Sequence, residues 1–242
     1  MTGSGKQPIH DKKDCTMKKN KFKSDILPIL IGVLFVGALV GAVLFFANRS
    51  KEPAAIERVH AADDGELADY ESDNTITLGD YKNVSSLATK EDLSEKNTDD
   101  PKVFLWDSYL ETCKIKSYPK DMLDAAIIDQ QVQMQGFAEA SGMTVEELAE
   151  SYGMDDSSIE EAAKDDVKGR LVAKTIALKE NIKLTDDIYL KKLVEMMESD
   201  EKNPDLNTLE KDYIDTTSVR PKDDAYVQLI KDFLMEKWTA SN

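Results

Sequence analysis

The feature that most constrains this chain is an uninterrupted apolar run of twenty-two residues, 26–47, which contains no charged side chain. About 20 apolar residues of helix are needed to cross the hydrocarbon core of a bilayer, and a helix satisfies its own backbone hydrogen bonds in lipid. We therefore predict a transmembrane helix over 26–47 that holds the protein in a lipid bilayer. The run exceeds the roughly 7–15 apolar residues of a cleaved signal peptide, so we expect a retained anchor.

The flanks of this run predict its orientation. Residues 1–25 contain seven lysines, whereas only Arg49, Lys51 and Arg58 follow within the next twenty residues. Because the excess of cationic side chains stays in the cytoplasm, we expect a basic cytoplasmic tail over 1–25. The rest of a single-pass membrane protein would then be extracytoplasmic.

Charge and residue types exclude several functions. The net charge of −16 combines a balance of +4 over residues 1–25 with −20 over the remainder, and so acidic a domain does not bind nucleic acid through phosphates. Both histidines, His10 and His60, precede the helical region. We therefore expect no catalytic, cofactor or metal site and no enzymatic activity.

The remaining chain divides into two parts. Residues 48–100 are polar and acidic, which predicts a stalk or linker with a short extended segment at 75–85. Residues 101–242 show helical periodicity almost throughout, which predicts an all-α domain of seven helices. The expected helix boundaries follow cap residues, capping boxes and terminal glycines or prolines: Pro119, Gly142, 144–147, Gly153, 157–160, Thr185, Asn207 and Pro221.

Apolar residues occupy more than one side of two of these helices. On the second helix Ile128 and Val132 lie opposite the main apolar stripe, and on the fourth Val172 and Ile176 do the same. Such residues either pack helices on two sides or line an open groove for unfolded chains, and methionine suits an adaptable groove. The hypothetical groove comprises Ile128, Val132, Met134, Val172, Ile176, Met196 and Met197.

Several motifs, in order, resemble the C-terminal chaperone domain of bacterial trigger factor. They are Trp106 with Tyr118–Pro119, the segments 138–148 and 152–154, and the long segment 166–186. Residues 77–82 also resemble the segment that leads into the prolyl isomerase domain of that family. Nineteen residues separate Lys82 from Lys102, too few for an isomerase domain. The ribosome-docking domain is likewise not found, and the apolar run stands in its place.

The resemblance implies the client-cradling part of that family, placed outside a bacterial cell membrane. We expect a chaperone that holds unfolded or partly folded translocated polypeptides, without ATP and without chemistry. The alternative is a dedicated binding or scaffold module for one partner in the cell envelope. The oligomeric state is left open by the sequence.

Overall fold

The structure is a computed structural model that describes residues 65–94, 98, 100–201 and 204–242. The predicted basic tail and membrane helix lie outside the described residues. Among the helices that the structure does describe, none is both long enough and apolar enough to cross a bilayer.

Seven α-helices dominate the described residues, which confirms the predicted all-α class. They are α1 (Pro101–Thr112), α2 (Lys120–Ser141), α3 (Val145–Tyr152), α4 (Asp156–Glu180), α5 (Asp186–Met196), α6 (Leu206–Thr216) and α7 (Pro221–Ser241). Two short strands, β1 (Ile76–Thr77) and β2 (Lys114–Ile115), pair antiparallel, with Ile76 opposite Ile115. A 3-10 turn covers Val84–Ser86.

Two helix starts differ from the predicted ones for the same reason. Asp155 caps α4 by accepting the backbone N–H of Ser158 at 2.9 Å, and Asp205 caps α6 by accepting that of Thr208 at 2.9 Å. The sequence favoured caps two residues later, at Ser157 and Asn207. A carboxylate also interacts favourably with the positive end of the helix dipole, and here it takes the capping position.

Helix α4 forms the centre of the fold and packs between α2 and α7. All seven residues from 171 to 177 are buried, so this part of α4 has neighbours on every side. Helix α1 packs on α7, also contacts α4, and contributes Trp106 to the same core. The helices that contact α4 share its large apolar core, whereas the elements farther from it are held by smaller apolar clusters.

Residues 65–94, which we call the N-terminal strap, pack on this core, so the predicted stalk is wrong over that range, although the strand β1 lies within the short extended segment predicted at 75–85. Ile76 is fully buried, the Tyr81 hydroxyl donates to Glu180 at 2.9 Å, and the Trp238 indole N–H donates to the Ala88 carbonyl at 2.8 Å. The apolar residues of the strap are buried singly, without a helical or strand period, so the sequence pattern did not reveal them. Residues 48–64 lie outside the described residues.

Ile76 and Thr77 offer a matched test of the strap because both lie in β1 but only Ile76 is buried. We expect Ile76→Ala to lower the free energy of unfolding by about 2–5 kcal/mol, through lost burial and a cavity. Thr77→Ala should change it by less than about 0.5 kcal/mol. Thermal and urea denaturation measure both; equal effects of the two changes would mean that the strap does not belong to the core.

Candidate functional site

A small apolar cluster lies outside the main core, in what we call the hairpin unit: the C-terminal half of α2, α3 and the start of α4. Met134, Ala138 and Leu148 are buried together, and half-buried side chains surround them. These are Phe137, Ala149, Met154 and Ile159. Since α3 packs mainly on α2, the unit is held together chiefly by its own few apolar contacts.

Local sequence signals build the two turns of the hairpin unit. Gly142 and Gly153 end α2 and α3 with φ of 69° and 65°, a left-handed conformation that favours glycine. Between them, the Thr144 hydroxyl accepts the Glu147 N–H at 3.1 Å, and the Glu147 carboxylate accepts the Thr144 N–H at 2.9 Å. This capping box confirms the predicted start of α3 and fixes its direction relative to α2.

The tip of the hairpin unit exposes apolar side chains to solvent. Met143, Val145 and Tyr152 retain 42%, 36% and 41% of their accessible surface, and we call them the tip patch. The Tyr152 ring meets the Phe137 ring edge-on, with centroids 6.1 Å apart. Exposed carboxylates border the patch at Glu146, Glu147 and Glu150. The tip therefore combines apolar contact surface with negative charge.

A second satellite cluster joins α5, α6 and the start of α7, and we call these elements the α5–α6 unit. Its buried residues are Tyr189, Leu193, Leu209, Tyr213 and Ala225. Met196 and Met197, at the end of α5, are half-buried against this cluster. The buried Lys192 ammonium pairs with Asp232 of α7 and thereby fixes α5 to the central layer.

A buried ionic cluster lies where α2, α4 and α7 meet, and Arg170 is its centre. The Arg170 guanidinium contacts three carboxylates: Asp166 at 2.9 Å, Asp224 at 3.1 Å and Asp129 at 3.4 Å. Arg170 itself is only 2% exposed. Removing charges from water is costly unless they are paired and hydrogen-bonded, so this Arg170 cluster strongly restricts how the three helices pack.

Asp129 links α2 to the segment between α6 and α7. Besides Arg170, its carboxylate accepts the Val219 backbone N–H at 3.1 Å and the Ser218 hydroxyl at 3.2 Å. The Tyr213 hydroxyl of α6 donates to Asp224 at 3.1 Å. The helix that bears the hairpin unit and helix α6 are thus both connected to the same arginine.

Adjoining contacts fasten the strap to the same region. Asp223 is fully buried and accepts ionic contacts from Lys174 at 3.3 Å and Arg220 at 3.0 Å. The Gly65 backbone N–H donates to the Asp223 carboxylate at 2.6 Å. The described part of the strap therefore begins at the N-terminal end of α7, next to the Arg170 cluster.

Burial raises the pKa of two carboxyl groups in the Arg170 cluster. Burial is the largest cause for Asp166, whose pKa rises to about 7; the nearby Arg170 opposes the rise, and the carboxylates of Asp224 and Asp129 add to it. Burial also raises the pKa of Asp129, against the effects of Arg170 and of the Val219 N–H. Asp166 thus exchanges its proton near neutral pH.

The predicted client-binding residues fall into two groups in the structure. Val172 and Ile176 are fully buried in the main core, so their assignment to a groove is wrong. The alternative interpretation, a central helix packed on two sides, is correct for them. Met134 is also buried, inside the hairpin cluster. Ile128 and Val132 are half-buried on α2, and with Met196 and Met197 they remain candidates.

The sequence reasoning missed the tip patch and the Arg170 cluster. Met143 lies between α2 and α3 and Val145 is the first residue of α3, so helical periodicity says little about their exposure. The ion pair between Asp166 and Arg170 was not predicted. The sequence did contain a signal for the Arg170 cluster. Asp129 lies three residues after Ala126, and Arg170 three residues after Val167, so each charged side chain shares a helix face with a buried apolar one.

The fold is a helical domain in which two small apolar clusters flank a central buried helix. The family model of the bacterial trigger factor protein (TF) C-terminus matches residues 77–236, about two thirds of the 242 residues. The chain therefore belongs to the trigger factor C-terminal family. No curated protein and no solved structure matches it. The matched domain is the chaperone module and not the prolyl isomerase domain, which indicates a chaperone-like role in binding proteins.

Asp129 and Asp124 provide a matched test of the Arg170 cluster, since both are aspartates of α2. We expect Asp129→Ala to lower the free energy of unfolding by about 3–5 kcal/mol, because it leaves buried donors and part of the Arg170 charge uncompensated. Asp124 makes an exposed ion pair with Lys120, so Asp124→Ala should leave the melting temperature nearly unchanged. A similar small shift for both variants would contradict a structural role for the cluster.

Proposed function

We propose that this protein is a membrane-anchored, extracytoplasmic chaperone that holds partly unfolded, translocated polypeptides without ATP. The observation that carries the proposal is the tip patch, a set of exposed apolar side chains on a domain of the trigger factor C-terminal family. Apolar side chains of an unfolded client would be buried against this patch. At about 25 cal/mol per Å² of apolar surface, three such side chains contribute a few kcal/mol, which suits reversible binding.

Half-buried methionines supply a second contact region. Met196 and Met197 lie at the end of α5, where the flexible thioether side chains adapt to clients of different shape. Ile128 and Val132 lie on the helix that bears the hairpin unit. Weak contacts on both satellite units would hold a client in several alternative positions, as a holding chaperone requires.

Charge adds a preference among clients. Residues 121–163 contain eleven acidic residues and no Lys, Arg or His. The charged side chains of the hairpin unit are therefore all negative. Such a surface attracts segments with basic residues next to apolar ones and repels acidic segments. We propose that the protein favours basic or neutral clients, and that the same charge keeps the empty tip patch from self-association.

The proposed anchor is the apolar run 26–47, which lies outside the described residues. Gly65 begins the described strap, so seventeen residues, 48–64, connect it with the run. Because an extended chain spans at most about 3.5 Å per residue, this connection reaches no farther than roughly 60 Å. An anchor at 26–47 would therefore keep the folded domain close to the membrane, where translocated chains emerge.

The second candidate is a dedicated binding module for one cell-envelope partner. The small number of exposed side chains in the tip patch favours it, because three side chains on one short helix and the turn before it suit a single partner segment better than a long groove does. Photo-crosslinking from position 143 in cells separates the two candidates. Many secreted chains would be captured by a chaperone, whereas a dedicated module would capture one protein.

Two substitutions in the tip patch test client binding directly. We expect Met143→Ser combined with Val145→Ser to weaken suppression of client aggregation while changing stability by less than about 0.5 kcal/mol, because both side chains are exposed. The matched control is Leu178→Ser, which removes an equally exposed side chain about 30 Å farther along α4 at 1.5 Å per residue. If both variants suppress aggregation as the wild type does, the tip patch is not the client site.

Protease protection tests the proposed membrane topology. Protease added outside intact spheroplasts should digest the acidic C-terminal domain and spare a tag fused at Met1, since the lysines of residues 1–25 are expected to stay in the cytoplasm. Lysed spheroplasts serve as the control, in which the tag is digested too. Protection of the C-terminal domain in intact spheroplasts would contradict the proposed orientation.

A further inference from the structure

The Arg170 cluster contains three carboxylates around one guanidinium, and these carboxylates are unequally hydrogen-bonded. Asp129 accepts hydrogen bonds from Arg170, Ser218 and the Val219 N–H, whereas Asp224 accepts one from Tyr213 and is ion-paired with Arg170. Among the described residues, Asp166 contacts Arg170 alone. The carboxylate with the fewest donors loses least when it accepts a proton, so Asp166 is the group that protonates first.

Charged and titratable groups face Asp166 from each helix packed around it. Arg170 belongs to its own helix, Asp129 faces it from α2, Asp223 and Asp224 from α7, and Tyr213 from α6. The Asp166 side chain retains 29% exposure, so protons reach it from solvent without unfolding. Asp223 has cationic partners in Lys174 and Arg220, which leaves Arg170 to neutralise the other three aspartates.

We propose that the Arg170 cluster is a pH-sensitive clasp, in which proton exchange at Asp166 controls how firmly α2 is held to the segment between α6 and α7. With Asp166 neutral, two carboxylates share Arg170, and Asp129 holds the Val219 N–H. With Asp166 charged, a third carboxylate competes for the same guanidinium and repels Asp129 and Asp224. The clasp is tight in mildly acidic solution and loosens as the pH rises toward neutral.

The direction of the pH dependence follows from linkage. The pKa of Asp166 is raised in the folded protein from the ordinary 3.8 to about 7. The folded state therefore binds more protons than the unfolded state between these values, and stability from this group falls as the pH rises through that window. Above about pH 7 the contribution is lost. This inference concerns the fold alone and does not depend on client binding.

Hydrogen–deuterium exchange of the full-length protein in detergent micelles tests the clasp. Peptides that contain Val219 should lose protection as the pH rises from 5 to 7, by up to about tenfold per pH unit after correction for intrinsic exchange, and the loss should level off above pH 7, where Asp166 is charged in both states. Asp166→Asn imitates the neutral carboxyl, so its protection should not depend on pH and should exceed that of the wild type at pH 8. The matched control, Glu161→Gln, removes an exposed charge from the same helix and should behave as the wild type does.

Two results would overturn the proposal: constant protection of the wild type across this range, or the same pH dependence in Asp166→Asn. Asp224→Asn gives an independent test that does not rely on the folding of the first variant. Removing a neighbouring negative charge lowers the pKa of Asp166, so the midpoint of the protection loss should move to lower pH. An unchanged midpoint in that variant would also overturn the proposal.

Discussion

The packing of this domain depends on one buried guanidinium. Arg170 contacts carboxylates from α2, α4 and α7, and those carboxylates in turn hold Val219 and the Tyr213 hydroxyl. Buried ion pairs add little net stability compared with apolar packing, but breaking one leaves a costly unpaired charge. Few alternative helix arrangements can satisfy all of these groups. The cluster therefore determines which packing is adopted more than it determines how stable that packing is.

The distribution of apolar burial relates this geometry to binding. The main core surrounds α4 on all sides, whereas the hairpin unit and the α5–α6 unit are held by small clusters of their own. Regions with few buried apolar contacts open at lower free energy than the core does. Exposed side chains of the hairpin tip are thus carried by an element that can adjust its position without unfolding the centre.

Local signals predicted the helices well, because glycines at 142 and 153 and the capping box at Thr144 act within a few residues. The family and the helical class were likewise accessible from the sequence. Burial of Val172 and Ile176 was not, since a second apolar stripe looks the same whether it meets another helix or a client. The strap was missed for a related reason: residues such as Ile76 and Val84 are buried by contacts with distant helices, which leave no local period.

The strap places the attachment point of the proposed membrane anchor next to the Arg170 cluster. Its first described residue, Gly65, donates to Asp223, and Asp223 shares α7 with Asp224 of the Arg170 cluster. A connection from a membrane anchor would thus join the domain beside the cluster that connects α2 with α6. Because a pull on Gly65 would act first on Asp223, its buried partners Lys174 and Arg220 would resist it before any apolar contact of the strap is lost. The hairpin tip lies at the other end of α2 from Lys120. Attachment at Gly65 would therefore leave the tip connected to the rest of the described domain through α2 and α4.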